Sequence, residues 1–122
     1  MLTFRNCNDS SDKKISKHFS LREFDCSCGQ CKWTLIHPKL LDRLEILRKL
    51  AGHPILLTSG YRCQSYQNQL RQENHNAAVE YSQHCLGKAA DIKKPVNLSI
   101  ETIQALFSFT YESKHFIHVD VR

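Results

Sequence analysis

His84 and Asp91 stand seven residues apart and have the chemistry of metal ligands. A neutral imidazole and a carboxylate both bind divalent transition metals, and Gly87 between them lets the chain turn. If residues 87–93 form a strand, its period of two places Asp91 on one face and Ile92 on the other. Asp91 can then face a cleft while Ile92 anchors the core. The sequence therefore predicts half of a metal site here.

A third ligand is available near the other end of the chain, in residues 116–122. His118 and Asp120 alternate with β-branched residues, which is the pattern of a half-buried strand, so their side chains share one face. Seen alone, a histidine or an aspartate at a turn or strand end is usually a surface residue or a cap. The combination of His84, Asp91 and His118 instead favours a His/Asp/His zinc site.

Six cysteines are many for a chain of this length, and three of them form a C-x-C-x2-C cluster at Cys26, Cys28 and Cys31. A structural zinc needs four ligands, and this cluster supplies three. The candidates for the fourth are Cys7, His18, Cys63 and Cys85. Disulfides are the alternative in an oxidising compartment, and both readings stay open because the pattern lacks a second C-x2-C pair.

The composition describes an ordinary globular chain. Its 122 residues are enough for one hydrophobic core and too few for two. The net charge of +5 favours polyanions, but the basic residues are scattered, so we expect an anionic cell-wall polymer and no nucleic acid. No apolar run approaches the ~20 residues of a membrane helix, and no signal peptide is visible. We therefore expect no membrane insertion and synthesis without a secretory signal.

Capping signals and periodicity predict the elements of the first half. Residues 1–16 are polar and aperiodic and predict a flexible lead-in to a single domain at residues 17–122. A capping-box pattern at Ser20 predicts a short helix from Leu21. A longer helix begins at Pro38 and ends at Gly52. Its predicted core stripe consists of Leu40, Leu41, Leu44, Leu47 and Leu50.

The second half alternates strands and helices. A strand at residues 54–58 leads to Arg62, and a helix follows from residue 64, with a loop around residues 73–76. A further helix is capped by Asn97 or Ser99 and ends at Phe109, before a final strand at residues 116–121. Together with the strand at residues 87–93, this order predicts an α+β domain with a small, mostly antiparallel sheet flanked by helices.

Three segments together resemble the zinc peptidases that cut bacterial peptidoglycan: SGYR at 59–62, SQHCLGKAADI at 82–92 and FIHVDVR at 116–122. That family includes D-alanyl-D-alanine carboxypeptidases, VanX-type dipeptidases and many phage endolysins, and it shares its fold with the hedgehog signalling domain. The resemblance extends over residues 18–122 in the same order. It implies a hedgehog-like fold and a bound Zn²⁺.

The resemblance also implies roles for individual residues. By position, His84, Asp91 and His118 match the zinc ligands. Arg62 matches the arginine that holds the substrate or polarises its carbonyl, and Ser82 matches a residue that lines the same cleft. Three protein ligands leave a fourth position for water, whose pKa zinc lowers to ~7, so that it becomes a nucleophile at neutral pH.

The general base is where this chain departs from many relatives, which have Glu or Asp three residues before the last histidine ligand. This chain has His115 there, whose ordinary pKa of ~6.5 suits the task. Strand parity points residue 115 away from the ligand face unless it lies before the strand or in a bulge. Asp120 is the competing candidate, either as base or as the residue that orients a ligand histidine. We prefer His115 on the family's spacing.

We therefore expect a monomeric zinc carboxypeptidase or endopeptidase that cleaves peptidoglycan stem peptides. It would act at the bacterial cell wall or periplasm and be encoded by a bacterium or a phage. One alternative is an inactive wall-binding or structural module of the same fold, such as a phage tail component. A more distant one is an interaction module in which zinc bound at residues 26–31 is the functional part.

Overall fold

The computed structural model describes residues 2–5, 13–73 and 82–122 of the chain. The strands in these residues are β1 (Leu2–Arg5), β2 (Trp33–Ile36), β3 (Leu57–Ser59), β4 (Ala89–Ile92), β5 (Phe109–Glu112) and β6 (Ile117–Asp120). The α-helices are α1 (Pro38–Ala51), α2 (Gln64–Glu73) and α3 (Ile100–Gln104). Two short 3₁₀ helices span Leu21–Phe24 and Gln83–Leu86.

Asp91 and His118 lie on the two central strands of a four-stranded antiparallel sheet with the order β3-β4-β6-β5. Asp91 of β4 is directly opposite His118 of β6, and Ala89 is opposite Asp120. Directly paired residues of antiparallel strands share a face, so this register brings Asp91, His118 and Asp120 together on one face. The sheet and its helices confirm the predicted α+β class.

Helix α1 supplies much of the core. The imidazole of His37 accepts the amide hydrogen of Lys39 at 3.1 Å at the start of the helix, and Gly52 ends it with a φ of 72°. The leucine stripe is buried as predicted, except that Leu50 is 52% exposed. At 100° per residue, Ala51 continues the buried face in the last turn, and Ala51 is indeed buried. Counting Leu50 as core was therefore wrong.

Strands β1 and β2 are elements that the sequence did not predict, and β1 lies within the predicted lead-in. They form a separate two-stranded antiparallel sheet in which Leu2 is opposite Ile36. The four residues of β1 alternate apolar and polar types, and so short a pattern becomes a strand only through its partner. Residues 6–12 of the predicted lead-in lie outside the described residues. The domain boundary at residue 17 stays a prediction.

The end of the last helix was also misplaced. Helix α3 ends at Gln104, and Phe109, which we predicted to end it, begins the edge strand β5. Phe109 and Tyr111 are exposed, and their strand exists because it pairs with β6 across a short turn. Hydrophobic periodicity does not register an edge strand whose apolar residues face solvent.

The other predicted caps and helices are present where the structure describes them. The carboxylate of Glu23 accepts the amide hydrogen of Ser20 at 2.7 Å, and the hydroxyl of Ser99 accepts that of Thr102 at 3.2 Å. Asn97 instead donates to the carbonyl of Ala51 at 2.8 Å. Helix α2 confirms the predicted helix from residue 64, while residues 74–76 of the predicted loop lie outside the described part. Among the described helices, none combines the length and apolar character needed to cross a lipid bilayer.

Candidate metal centre

His84, Asp91 and His118 converge on one point between β4, β6 and the second 3₁₀ helix. Oδ1 of Asp91 lies 3.2 Å from Nε2 of His84 and 3.0 Å from Nδ1 of His118. One ligand atom from each residue lies within 4.8 Å of the other two. Since zinc–nitrogen and zinc–oxygen bonds are about 2.0 to 2.2 Å long, three atoms at this spacing can reach one ion.

The chain on either side of His84 fixes where this residue lies. The hydroxyl oxygen of Ser82 accepts the amide hydrogen of His84 at 3.1 Å and caps the 3₁₀ helix. Gly87 ends that helix with a φ of 70°, and a Cβ there would lie only 2.5 Å from the carbonyl oxygen of Leu35. Only glycine fits this close approach to β2 in a left-handed conformation. Gly87 thus makes the turn that carries the chain from His84 to β4.

A backbone carbonyl orients the ring of His84. Nδ1 of His84 donates to the carbonyl oxygen of Gly60 at 2.7 Å, which leaves the lone pair of Nε2 available to a metal. Gly60 must itself be glycine, because a Cβ there would lie 2.6 Å from Cα of Phe24. In the buried His84, Nδ1 is therefore fixed by the carbonyl of Gly60, and Nε2 faces Asp91.

Asp120 holds the ring of His118 in the same way. Nε2 of His118 donates to Oδ2 of Asp120 at 2.8 Å, so Nδ1 faces Asp91. Asp120 is fully buried, and Arg122 donates to both of its oxygens, at 3.0 Å from Nε and 2.7 Å from Nη2. Both oxygens are thus engaged, which suits a residue that orients His118 better than one that accepts a proton from water.

Arg62 contacts the site through a hydrogen bond to the second oxygen of Asp91. Its Nη2 donates to Oδ2 of Asp91 at 3.0 Å, its Nε to Oγ of Ser59 at 3.1 Å and its Nη1 to Oε1 of Gln67 at 3.2 Å. The guanidinium is therefore fixed in a plane beside the candidate metal ligands. Since Oδ2 is held by Arg62, Asp91 presents Oδ1 alone to the two histidines.

The charges of the site favour ionised carboxylates. Burial alone would raise the pKa of Asp91, but the neighbouring rings of His118 and His84 hold it well below its usual range. Burial would also raise the pKa of Asp120, but Arg122 and His118 lower it. The pKa of His118 is raised, because its bonds to Asp91 and Asp120 outweigh the opposite effect of burial. Asp91 is thus ionised and able to bind a cation at neutral pH, while the ionised Asp120 is paired with His118 and Arg122.

His115 and Ser82, unlike the other predicted site residues, make no side-chain hydrogen bond with the side chains of His84, Asp91 or His118. His115 is exposed in the turn between β5 and β6. It makes no hydrogen bond or ion pair with the three candidate metal ligands. It lies before β6, so strand parity does not direct its side chain. Ser82 uses its hydroxyl oxygen as a helix cap. Its predicted contact with substrate stays a prediction, as does the role of His115.

Sequence analysis missed the groups that hold the ligands in place. Gln67 is 2% exposed and fixes Arg62, and the carbonyl of Gly60 fixes His84. Gln67 lies in a stretch rich in Gln and Asn, where nothing sets it apart from its neighbours. The type of a residue does not show which group its backbone carbonyl will contact, although the glycine of SGYR indicates a close approach of the chain.

Two imidazole nitrogens and one carboxylate oxygen form the donor set of catalytic zinc sites, which keep a fourth position open. Zinc held by such a donor set can act as a Lewis acid and lower the pKa of a bound water, which is the chemistry of metal-assisted hydrolysis. The family model described as Peptidase M15 matches residues 17–120, and the chain belongs to this family. It is the family of zinc D-Ala-D-Ala carboxypeptidases and VanX-type peptidases, which confirms the resemblance seen in the sequence. Searches of curated proteins and of solved structures found no match.

Proposed function

We propose that this protein is a zinc-dependent peptidase that hydrolyses the stem peptides of peptidoglycan, as a carboxypeptidase or an endopeptidase. The observation that supports it best is the pair of histidines that meet one oxygen of Asp91, each with its other ring nitrogen held by a buried acceptor. A surface cluster formed by chance has no reason to fix both rings in this way. Membership in the peptidase family agrees with this reading.

His84 through Nε2, Asp91 through Oδ1 and His118 through Nδ1 would hold the metal. When bound, zinc supplies a Lewis acid that polarises a carbonyl and lowers the pKa of a coordinated water to about 7. The carbonyl of Gly60 and the carboxylate of Asp120 keep the two rings oriented. The protein therefore needs no rearrangement of these side chains when the metal enters.

Arg62 has two tasks in this proposal. It holds Oδ2 of Asp91, and it places a fixed positive charge beside the metal group. Its bonds to Ser59, Gln67 and Asp91 use three of its five N–H donors, which leaves donors for the carbonyl oxygen of a substrate. Negative charge that develops on that oxygen is stabilised without reorganisation, because the guanidinium is already in place.

For the proton transfer we retain His115 as the base. Asp120 is buried and fully engaged with His118 and Arg122, so it serves as an orienting group. His115 is exposed, lies in the turn that leads into β6 and is three residues from His118. A side chain in such a turn can move over the site when substrate binds.

The rim of the site suits a short peptide. Tyr111 of β5 is directly opposite His118 and is 57% exposed, and the ring of Phe109 lies 6.0 Å from that of His118. Exposed aromatic side chains beside a polar centre offer an apolar wall for the alanine methyl groups of a stem peptide. The net charge of +5 attracts the acidic stem and anionic wall polymers. We propose action as a monomer at the cell wall, with Ser82 at the cleft margin.

Digestion of purified muropeptides by the zinc-loaded protein tests this function. A carboxypeptidase releases free alanine, and an endopeptidase creates a new amino terminus, and mass spectrometry distinguishes the two. His84→Ala is the matched control and should release neither product, because it lacks one metal ligand. Bound zinc without new termini from muropeptides or intact sacculi would contradict the proposal and favour the inactive wall-binding module.

A further inference from the structure

A second group of potential metal ligands lies apart from the histidines. Cys26, Cys28 and Cys31 come from the loop after the first 3₁₀ helix, and Cys63 comes from the residue before α2. One sulfur from each of the four lies within 4.8 Å of the others. Of the cysteines in the described residues, only Cys85 is outside the group. The structure thus identifies Cys63 as the fourth member that the C-x-C-x2-C cluster lacked.

The distances between the sulfurs match a tetrahedral metal site. A zinc–sulfur bond of about 2.3 Å in tetrahedral geometry separates the sulfurs by about 3.8 Å. The observed separations are 3.8 Å for Cys26 and Cys63, 3.9 Å for Cys63 and Cys28, and 3.3 Å for Cys28 and Cys31. Each of the four sulfurs therefore needs only a small shift to bind one common ion.

Backbone amides point at these sulfurs. The amide of Gln30 donates to Sγ of Cys28 at 3.3 Å, that of Cys63 to Cys26 at 3.4 Å, and that of Tyr66 to Cys63 at 3.4 Å. Such N–H donors stabilise the negative charge of bound thiolates and orient them. Gly29, with a φ of 72°, supplies the left-handed turn between Cys28 and Cys31. The loop is therefore built around the sulfurs.

We propose that Cys26, Cys28, Cys31 and Cys63 bind a second zinc ion with a structural role. Four thiolates close the coordination of zinc and leave no position for water, so this site does no hydrolysis. Its effect is to tie the cysteine loop to the start of α2, one residue after Arg62. The inference is independent of the proposed function, because neither the histidines nor the substrate enters it.

Zinc stoichiometry of the full chain, purified under reducing conditions, tests the proposal. The parent should contain two equivalents. His84→Ala should keep one, and Cys28→Ser should lose the other while the histidine group keeps its own ion. Cys85→Ser is the matched control, since Cys85 is a partly buried cysteine outside the cluster, and it should retain two. A His84→Ala protein that folds and contains no zinc would overturn the proposal.

Cobalt substitution of the unmutated chain removes the risk that a cysteine variant does not fold. Four thiolates around Co²⁺ give intense sulfur-to-metal charge-transfer absorption, which a site of two histidines and one aspartate does not give. We expect this absorption in the parent and in His84→Ala at equal intensity. Its absence from both, or disulfides among the four cysteines after anaerobic purification, would show that the cluster is not a metal site.

Discussion

Oδ2 of Asp120 accepts a hydrogen bond from Nε2 of His118 at 2.8 Å, and the two residues are two positions apart on strand β6. Because a strand repeats every two residues, this spacing alone sets both side chains on the same face. The buried carboxylate thereby selects which nitrogen of His118 faces Asp91. The candidate ligand and the group that orients it are thus encoded within three consecutive residues.

Removing the charge of Asp120 should loosen the metal. We expect Asp120→Asn to weaken zinc binding by ~10- to 100-fold, because the ring of His118 loses the acceptor that orients it. Competition with a chelator measures this affinity. Arg122→Gln is the control, since Arg122 contacts the same carboxylate from the exposed side and should change zinc affinity little. Equal losses in the two variants would mean that Asp120 acts mainly through Arg122.

Arg62 should matter more for turnover than for metal content. We expect Arg62→Lys to retain zinc but to lower kcat by ~10²- to 10³-fold, the effect of removing one fixed electrostatic donor. Lysine keeps the charge but cannot contact Ser59, Gln67 and Asp91 together. Steady-state kinetics with a muropeptide, alongside metal analysis, separates the two quantities. Arg71→Ala, in the last turn of α2, should leave both unchanged. An active Arg62→Lys enzyme would limit Arg62 to a role as counter-charge.

The proposed role of His115 as the base requires that its side chain moves over the site when substrate binds. If it accepts the proton, His115→Ala should lower kcat by ~10²- to 10⁴-fold with zinc affinity unchanged, and the acid limb of the pH–rate profile should change shape. Lys114→Ala changes the neighbouring exposed residue of the same turn and should behave like the parent. A His115→Ala enzyme that cleaves at the parent rate would assign the proton transfer elsewhere.

Glu45 of α1 should make the stability of the domain sensitive to acid. Its carboxylate accepts hydrogen bonds from the hydroxyl of Ser16 and, at 2.7 Å, from the amide of His18. Burial alone would raise the pKa of Glu45, but the bonds from Ser16 and His18 lower it. A carboxyl group whose pKa is lowered on folding stabilises the fold above its unfolded pKa of ~4.3, and this contribution is lost as the pH falls through the folded pKa.

We therefore expect Glu45→Gln to lower the free energy of unfolding by about 1 to 2 kcal/mol at neutral pH, the scale of hydrogen bonds to a charged group that is partly exposed. The difference from the parent should shrink below about pH 4. Urea unfolding across this range measures both. Glu101→Gln, at an exposed position in the first turn of the short helix α3, should have a smaller effect, because a surface carboxylate at a helix N-terminus contributes only about 0.3 to 1 kcal/mol. A difference between parent and variant that does not depend on pH would show that packing, and not charge, is responsible.

The two ligand strands could be predicted because short-range rules suffice for them. The alternation around His118 and Asp91 sets the faces of β4 and β6, and Gly87 marks the turn after His84. Long-range relationships could not be predicted in this way. Cys63 is distant in sequence from Cys26, and the carbonyl of Gly60 belongs to a segment that packs on the first 3₁₀ helix. Sequence spacing contains no information about which distant segments meet.

The edge strands β2 and β5 could not be predicted from the sequence for a different reason. In β2 and β5, Trp33, Phe109 and Tyr111 are large apolar residues that lie exposed, so neither strand shows one apolar and one polar face. Their pairing with β1 and β6 depends on backbone hydrogen bonds, which every sequence except proline offers. Propensity therefore gives little guidance at the margins of a sheet.

Residues 60–63 join the two groups of candidate metal ligands. The carbonyl of Gly60 holds His84, the guanidinium of Arg62 holds Asp91, and the sulfur of Cys63 belongs to the thiol cluster. Zinc at either group should therefore stabilise this segment for the other, with a coupling free energy that is the same in both directions. Because the side chains of the segment already have their partners without an ion, we expect this coupling to be small, so that each group keeps its own ion when the other group is mutated.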